Sequence, residues 1–298
     1  MNTNPVTNFE KQLLEDERKD RNRRTLKLIG KVLIYIGLTI WAILTFIPLL
    51  WMITSSFKDT SAITQVPPQL FPTEPTLDAY KRVFEVGGFG RWFFNSVVVS
   101  TILTLSNVFF ASLAGYAFAK LRFPGRNTIF WILLASMMIP SQVTLIPLYI
   151  LVVNTFQIAD TYTALIVPTL VTTANVFLAR QFMQSLPSTL IDAARIDACS
   201  EPMIFWKVML PMAKPGLAVL GIFTFVANWN SFFWPFLVTN SNAMRTLQVG
   251  LTSFRYQYTA DYGAMMAGAV LTALPMFIIF LALQKYFLRG ITIGAVKG

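Results

Sequence analysis

The chain has 298 residues, 55% of them hydrophobic and only 13% charged, with 26 Phe and a formal net charge of +10. That apolar content exceeds what one soluble core of this length buries, so lipid is the expected solvent for much of the surface. With no His anywhere in the sequence, His-ligated metal centres, His general bases and Ser/His/Asp triads are excluded.

Residues 1–28 form a polar tail of mixed charge, without the apolar core and small-residue cleavage site of a secretory signal. A solvated or surface-lying helix is expected, with a regulatory role as the alternative. Six uncharged stretches follow, at 32–53, 93–119, 127–159, 162–179, 215–238 and 262–284. Each suits the roughly 20 residues that cross a hydrocarbon layer about 30 Å thick, the fourth being the shortest and the third long enough for a helix plus a turn. Helices are expected, because unpaired strand edges cannot face lipid and the alternation of a membrane barrel is absent.

Basic residues set the direction. With the N-terminus inside, the inner segments 1–31, 120–126, 180–214 and 285–298 carry eight, three, four and three Lys or Arg, 18 of the 24 in the chain. Short cytoplasmic loops hold such an excess, so both termini are expected in the cytoplasm of a multi-pass cell-membrane protein. The net charge is thereby a topology signal, at most also a contact for anionic lipid, and a nucleic-acid surface is not expected. Cys199 is the single cysteine, and no intrachain disulfide is available.

The spans hold no ionisable residue, against coupling to an ion gradient through this chain alone. There is no phosphate-cradling G-x-x-x-x-G-K-[ST] sequence either, and Gly87, Gly88 and Gly90 fall in a predicted outer loop without the necessary Lys. Prolines at 48, 140, 147, 168, 235 and 275 lie within the stretches, where each removes a backbone donor and favours a kink. Asn95, Ser96, Asn107, Asn228 and Asn230, with Trp229 between the last two, are candidates for lining a pathway, with helix-to-helix hydrogen bonds the equal alternative for the polar ones. Trp229, Phe233 and Trp234 have the shape to stack on sugar rings or to pack and anchor at the membrane interface.

Residues 180–214, between the fourth and fifth stretches, are too long for a turn. They read as two short helices, one including Leu190 to Ile196 and a second starting near Pro202 and stopped by Pro211. Lying under the membrane without catalytic groups, such a pair reads as a docking element or as an interfacial cover for the bundle.

The run Asp192-Ala193-Ala194-Arg195-Ile196-Asp197-Ala198, followed by Leu210-Pro211, resembles the EAA loop of ABC importer permeases, with pattern E-A-A, two residues, D-G, then about a dozen residues to L-P. Trp206-Lys207-Val208-Met209, Asn228-Trp229-Asn230, Ala273-Leu274-Pro275 and the ending Gly294-Ala295-Val296-Lys297-Gly298 resemble the maltose-type carbohydrate subgroup, in its second permease. The likeness covers everything after the tail. Two positions depart from the pattern: Asp192 replaces Glu on a shorter arm, and Ala198 replaces a Gly that often supplies a backbone angle Ala adopts only at a cost.

The resemblance implies an all-α polytopic protein: a permease domain of six kinked spans over 29–288, its EAA coupling loop at 180–214, and a C-terminal tail at 289–298. It implies a non-catalytic subunit of a binding-protein-dependent importer for carbohydrate, forming half of the pathway. A second homologous permease chain, a cytoplasmic ATPase dimer and an extracytoplasmic sugar-binding protein are the implied partners. ATP and Mg would be held by the ATPase, with no cofactor on this chain. Asp192, Ala193, Ala194, Asp197, Ala198, Leu210 and Pro211 would couple to the ATPase, Gly294, Val296, Lys297 and Gly298 would touch it at the C-terminus, and residues 239–261 would meet the binding protein. The alternative from another class is a six-helix carrier or channel driven by a gradient.

Overall fold

The computed structural model describes residues 5–85, 88–255 and 260–295. Among these the chain is helical, with one isolated bridge, Arg255 to Ala260, in place of any strand. A membrane-spanning chain has this character because a helix satisfies its backbone groups internally, whatever surrounds it.

Helix α1 (Pro5–Ser55) is continuous from the polar tail through the first span and across Pro48. The expected separate tail helix and first span are therefore one element. Two short helices, α2 (Thr60–Ile63) and α3 (Asp78–Glu85), follow at one end of the bundle. The second span is α4 (Phe89–Lys120), an unbroken helix of 32 residues.

The third stretch is not a helix with a turn. It divides into α5 (Arg126–Ser136) and α6 (Ser141–Tyr149) with a π-helical continuation over Ile150–Thr155, and the two arms meet at 90°. Pro140 stands at the break, where its missing N–H and fixed φ end a helix cleanly. The fourth stretch is also bent, by 46°, between Tyr162–Thr169, which opens with α7 (Tyr162–Ile166), and α8 (Thr173–Gln184). Pro168 sits in the 3₁₀ turn beside that bend. Pro48 and Pro275 lie inside unbroken helices, so proline alone does not break a span here.

After α9 (Thr189–Ile196) the chain enters α10 (Glu201–Ile204), a π turn over Phe205–Met209 and α11 (Leu210–Trp229) without interruption. Pro211 was expected to stop the second loop helix, and it does not. It lies in the first turn of α11, where its ring would press on the carbonyl one α-helical turn earlier. The wider π turn directly before it gives the space. The fifth span accordingly starts at Glu201 and ends at Trp229, earlier than the predicted 238, and α12 (Phe233–Val238) is a separate short helix. A further turn, α13 (Leu247–Gly250), precedes α14 (Tyr262–Ala295), the sixth span. Among the described residues four continuous helices are long and apolar enough to cross a membrane, and the count is six with each bent pair taken as one crossing.

The core runs along α4. Gly115 lets α4 meet α8 backbone to backbone: a Cβ there would stand 2.8 Å from Ala179 and Arg180. Around that contact Met183, Ile204, Phe205, Met209 and Leu220 are buried. A second cluster at the far end surrounds Trp92 and Trp229, both fully enclosed. There Asp261, just before α14, accepts a bidentate pair from Arg82 at 2.6 and 3.2 Å, and hydrogen bonds from Thr60 and the Ala264 amide. Burial pushes the Asp261 carboxyl up, but these donors outweigh it and hold the group below the usual aspartate range. One carboxylate thus ties α2 and α3 to the start of the sixth span. The large apolar residues of α1 from Leu26 to Ile47 remain exposed, as befits a helix whose solvent is lipid.

Candidate functional site: the coupling loop

Helix α9 is amphipathic, with Ile191 and Ala194 buried against the bundle while Asp192, Ala193, Arg195, Ile196 and Asp197 face outward. Two small alanines let the helix sit close and leave its outer face low. Ile196 is 86% exposed, the least covered large apolar residue of the loop.

The helix ends in a left-handed cap. The Cys199 amide donates to the Ala194 carbonyl at 2.9 Å and the Ala198 amide to Arg195 at 3.0 Å, the paired bonds of a Schellman motif, with Ala198 at φ +56°. This is the position where the family pattern has Gly, and the chain keeps the left-handed angle without it. The consequence is local strain of about 1 to 2 kcal/mol, because Cβ crowds the following carbonyl.

A chain of polar contacts fastens the loop to the second span. Arg195 Nε donates to Glu201 at 2.8 Å, and the Tyr116 hydroxyl of α4 donates to the other Glu201 oxygen at 2.7 Å. Asp192 pairs with Arg195 at 3.6 Å on the same helix. On the opposite flank Lys120 donates to the Leu186 carbonyl and to Ser188. Neither Tyr116 nor Glu201 stood out in the sequence. An acid in the first turn of a helix opening with Pro is a readable signal for Glu201, whereas nothing local marks Tyr116 among nine tyrosines. Leu210 is half-buried on the core and Pro211 is exposed at the base of the fifth span.

The residues read as pathway candidates do not share one surface. Asn95 is fully buried: its amide donates to the Ala243 and Arg245 carbonyls, both at 2.8 Å, and its oxygen accepts from Tyr162. Trp229 is buried too, with its indole N–H on the Thr272 carbonyl and Phe93 and Phe225 against its ring. Both brace helices here, the alternative that the sequence reading sets beside a pathway role. Asn228 borders a small internal cavity of about 50 Å³ beside Ser100 and Thr246. Asn230 borders a larger apolar one of about 530 Å³ between α11 and α14. Trp234 is tied to the Ala164 carbonyl, and Phe233 is exposed. Gly294 lies within α14, while Val296, Lys297 and Gly298 fall outside the described residues.

An all-helical chain with four to six membrane crossings and an exposed helix, α9, between the fourth and fifth stretches defines a multi-pass membrane protein. The chain belongs to the family of binding-protein-dependent transport system inner membrane components, whose pattern matches residues 107–293, and it is a permease subunit of an ABC importer. It is 39% identical over 269 residues to the arabinooligosaccharides transport system permease protein AraQ of Halalkalibacterium halodurans, covering 89% of this chain and 96% of that one. The Bacillus subtilis protein of the same name is 38% identical over 260 residues, covering 86% and 92%. The sn-glycerol-3-phosphate transport system permease protein UgpE of Yersinia enterocolitica is 32% identical over 278 residues, covering 91% and 97%. A chain of a bacterial ABC transporter involved in the import of alginate has the same fold, with a TM-score of 0.78 at 23% identity over 87% of this chain and 96% of that one.

Proposed function

We propose that this permease carries an oligosaccharide, with its coupling loop seated on a separate ATPase subunit that binds ATP and Mg, and with a second permease chain completing the pathway. The single observation that carries the docking is the outer face of α9: Asp192, Ala193, Ile196 and Asp197 are exposed while the inner face is anchored through Ile191, Ala194 and the Arg195–Glu201–Tyr116 contacts. A helix bound firmly to its own bundle and uncovered outside suits rigid transmission of a push. The work comes from ATP binding one state of the ATPase pair better than the other. The sugar assignment is supported by the relatives named for arabinooligosaccharides, which exceed the glycerol-phosphate relative in identity. Both termini and the loop then lie in the cytoplasm, and an extracytoplasmic binding protein meets the opposite end.

The test is co-purification. Asp197→Lys and Ile196→Asp are expected to leave the protein inserted but to strip the ATPase and stop ATP-dependent uptake of labelled oligosaccharide. Normal co-purification and normal uptake by both variants would refute the docking role.

A further inference from the structure

The connection between α4 and α5 carries a pocket with no part in the coupling contacts. Arg122, Phe123, Gly125, Arg126, Asn127 and Thr128 surround about 360 Å³. Arg126 is held in place there, with NH1 donating to the Leu121 carbonyl at 2.9 Å and Nε to Asn127 at 3.3 Å. Arg180, lying over the Phe130 ring at 4.0 Å, is close enough to feel the charge of Arg126.

These cations lack acids. Among the described residues the ion pairs are Lys81–Asp78, Arg82–Asp261, Arg195–Asp192 and Arg195–Glu201, none of which uses Arg122, Arg126 or Arg180. Asp192 and Glu201 do face Arg122 across a neighbouring cavity of about 690 Å³, but both are engaged with Arg195. Among the described residues no acid pairs with Arg122 or Arg126, and the pocket between them is positive.

What lies above the pocket says what fills it. Helix α5 starts at Arg126 and rises with Ile129, Trp131 and Ile132 exposed at 46, 68 and 65%. At 1.5 Å per residue, Trp131 stands about 7 Å above the arginine, the depth at which an indole straddles headgroup and acyl chain. A soluble anion would use the charge and leave this apolar ramp unused. We propose that the pocket holds the phosphate-bearing headgroup of an anionic membrane phospholipid, with its acyl chains along the exposed face of α5. The lipid is thereby seated beside the α4 terminus that carries Lys120 and the coupling-loop contact. This site does not depend on which sugar is carried or on which ATPase docks.

The experiment is lipid retention by the full-length chain, purified from mixed phosphatidylglycerol and phosphatidylcholine nanodiscs and read by native mass spectrometry. The wild type is expected to keep phosphatidylglycerol preferentially. Each arginine near the surface contributes about fivefold, so Arg122→Gln with Arg126→Gln should lower the preference by roughly 25-fold. Arg122→Lys with Arg126→Lys should keep most of it, Arg122→Gln alone should lose about fivefold, and Lys81→Gln at the other end should change nothing. Phosphatidylglycerol with brominated acyl chains should quench the wild type more than Trp131→Phe. An unchanged preference in the Gln variants would overturn the site, as would displacement of the lipid by millimolar inorganic phosphate, which would make it a phosphate pocket. Equal loss in Lys81→Gln would reduce it to net charge.

Discussion

Replacing Ala198 by Gly isolates the strain at the end of α9. Ala198 is left-handed at φ +56° and exposed, so the substitution removes no packing and alters only backbone preference. The left-handed angle costs a non-glycine residue about 1 to 2 kcal/mol, and Gly returns about 0.4 to 1 of that through the freedom it adds to the opened chain. The net gain lies between about 0 and 1.6 kcal/mol with a midpoint of about 0.8, or roughly fourfold slower opening of the cap. Hydrogen exchange of a peptide covering 193–201, in nanodiscs, reads it through the Cys199 and Ala198 amides, which close the cap on Ala194 and Arg195. Slower exchange in Ala198→Gly and faster exchange in Ala198→Val is the expected pair. Equal or faster exchange in the Gly variant would mean that the cap holds no strain, and the reasoning would fail.

Tyr116→Phe leaves Glu201 to Arg195 alone. Because Glu201 is partly exposed, the loss is about 1 kcal/mol at most, visible as faster exchange of the α9 peptide with global melting unchanged; no change in that peptide would remove the contact from the coupling path. At the far end, Asp261 has a depressed pKa in the folded chain, so its stabilisation is complete above the ordinary aspartate value near 4 and is lost as pH falls through the folded value. Asp261→Asn should cost about 1 to 2 kcal/mol at neutral pH, between the values for exposed and buried pairs. It should also flatten the acid limb of thermal unfolding below about pH 4, and an unaltered acid limb would assign that limb to other carboxylates. Gly115→Ala places a Cβ 2.8 Å from the Ala179 and Arg180 backbone, for an expected loss of about 1 to 3 kcal/mol; a wild-type melting point would show that α4 and α8 separate freely. For orientation, a cysteine replacing Ala243 should react with an impermeant thiol reagent added outside cells while Cys199 does not, and the reverse labelling would invert the topology.

The spans were legible because charge exclusion is a property of composition; Asp261 marks the start of the sixth, whereas Lys31 and Arg91 fall inside the opening turns of longer spans. The bends were only half legible. Pro140 and Pro168 stand at bends while Pro48 and Pro275 sit inside unbroken helices, a difference that no local pattern carries. Ala198 was the most readable site residue, since a missing Gly in a fixed pattern asks a question of backbone angle that the cap answers directly. For Asn95 and Trp229 the sequence left two readings open, for one reason. A polar atom inside a span serves a lumen or a neighbouring carbonyl, and the carbonyls of Ala243, Arg245 and Thr272 come from segments about 150 or 43 positions away.

Continuity from Glu201 to Trp229 has a mechanical consequence. Twenty-nine helical residues make a rod about 43 Å long, which outreaches the hydrocarbon layer. Its base carries the Glu201 contact and its tip the Trp229 cluster. A tilt of about 10° around the base would sweep the tip through about 7 Å on a rod of that length. A small displacement at the Glu201 end would thereby be geared up at the Trp229 end.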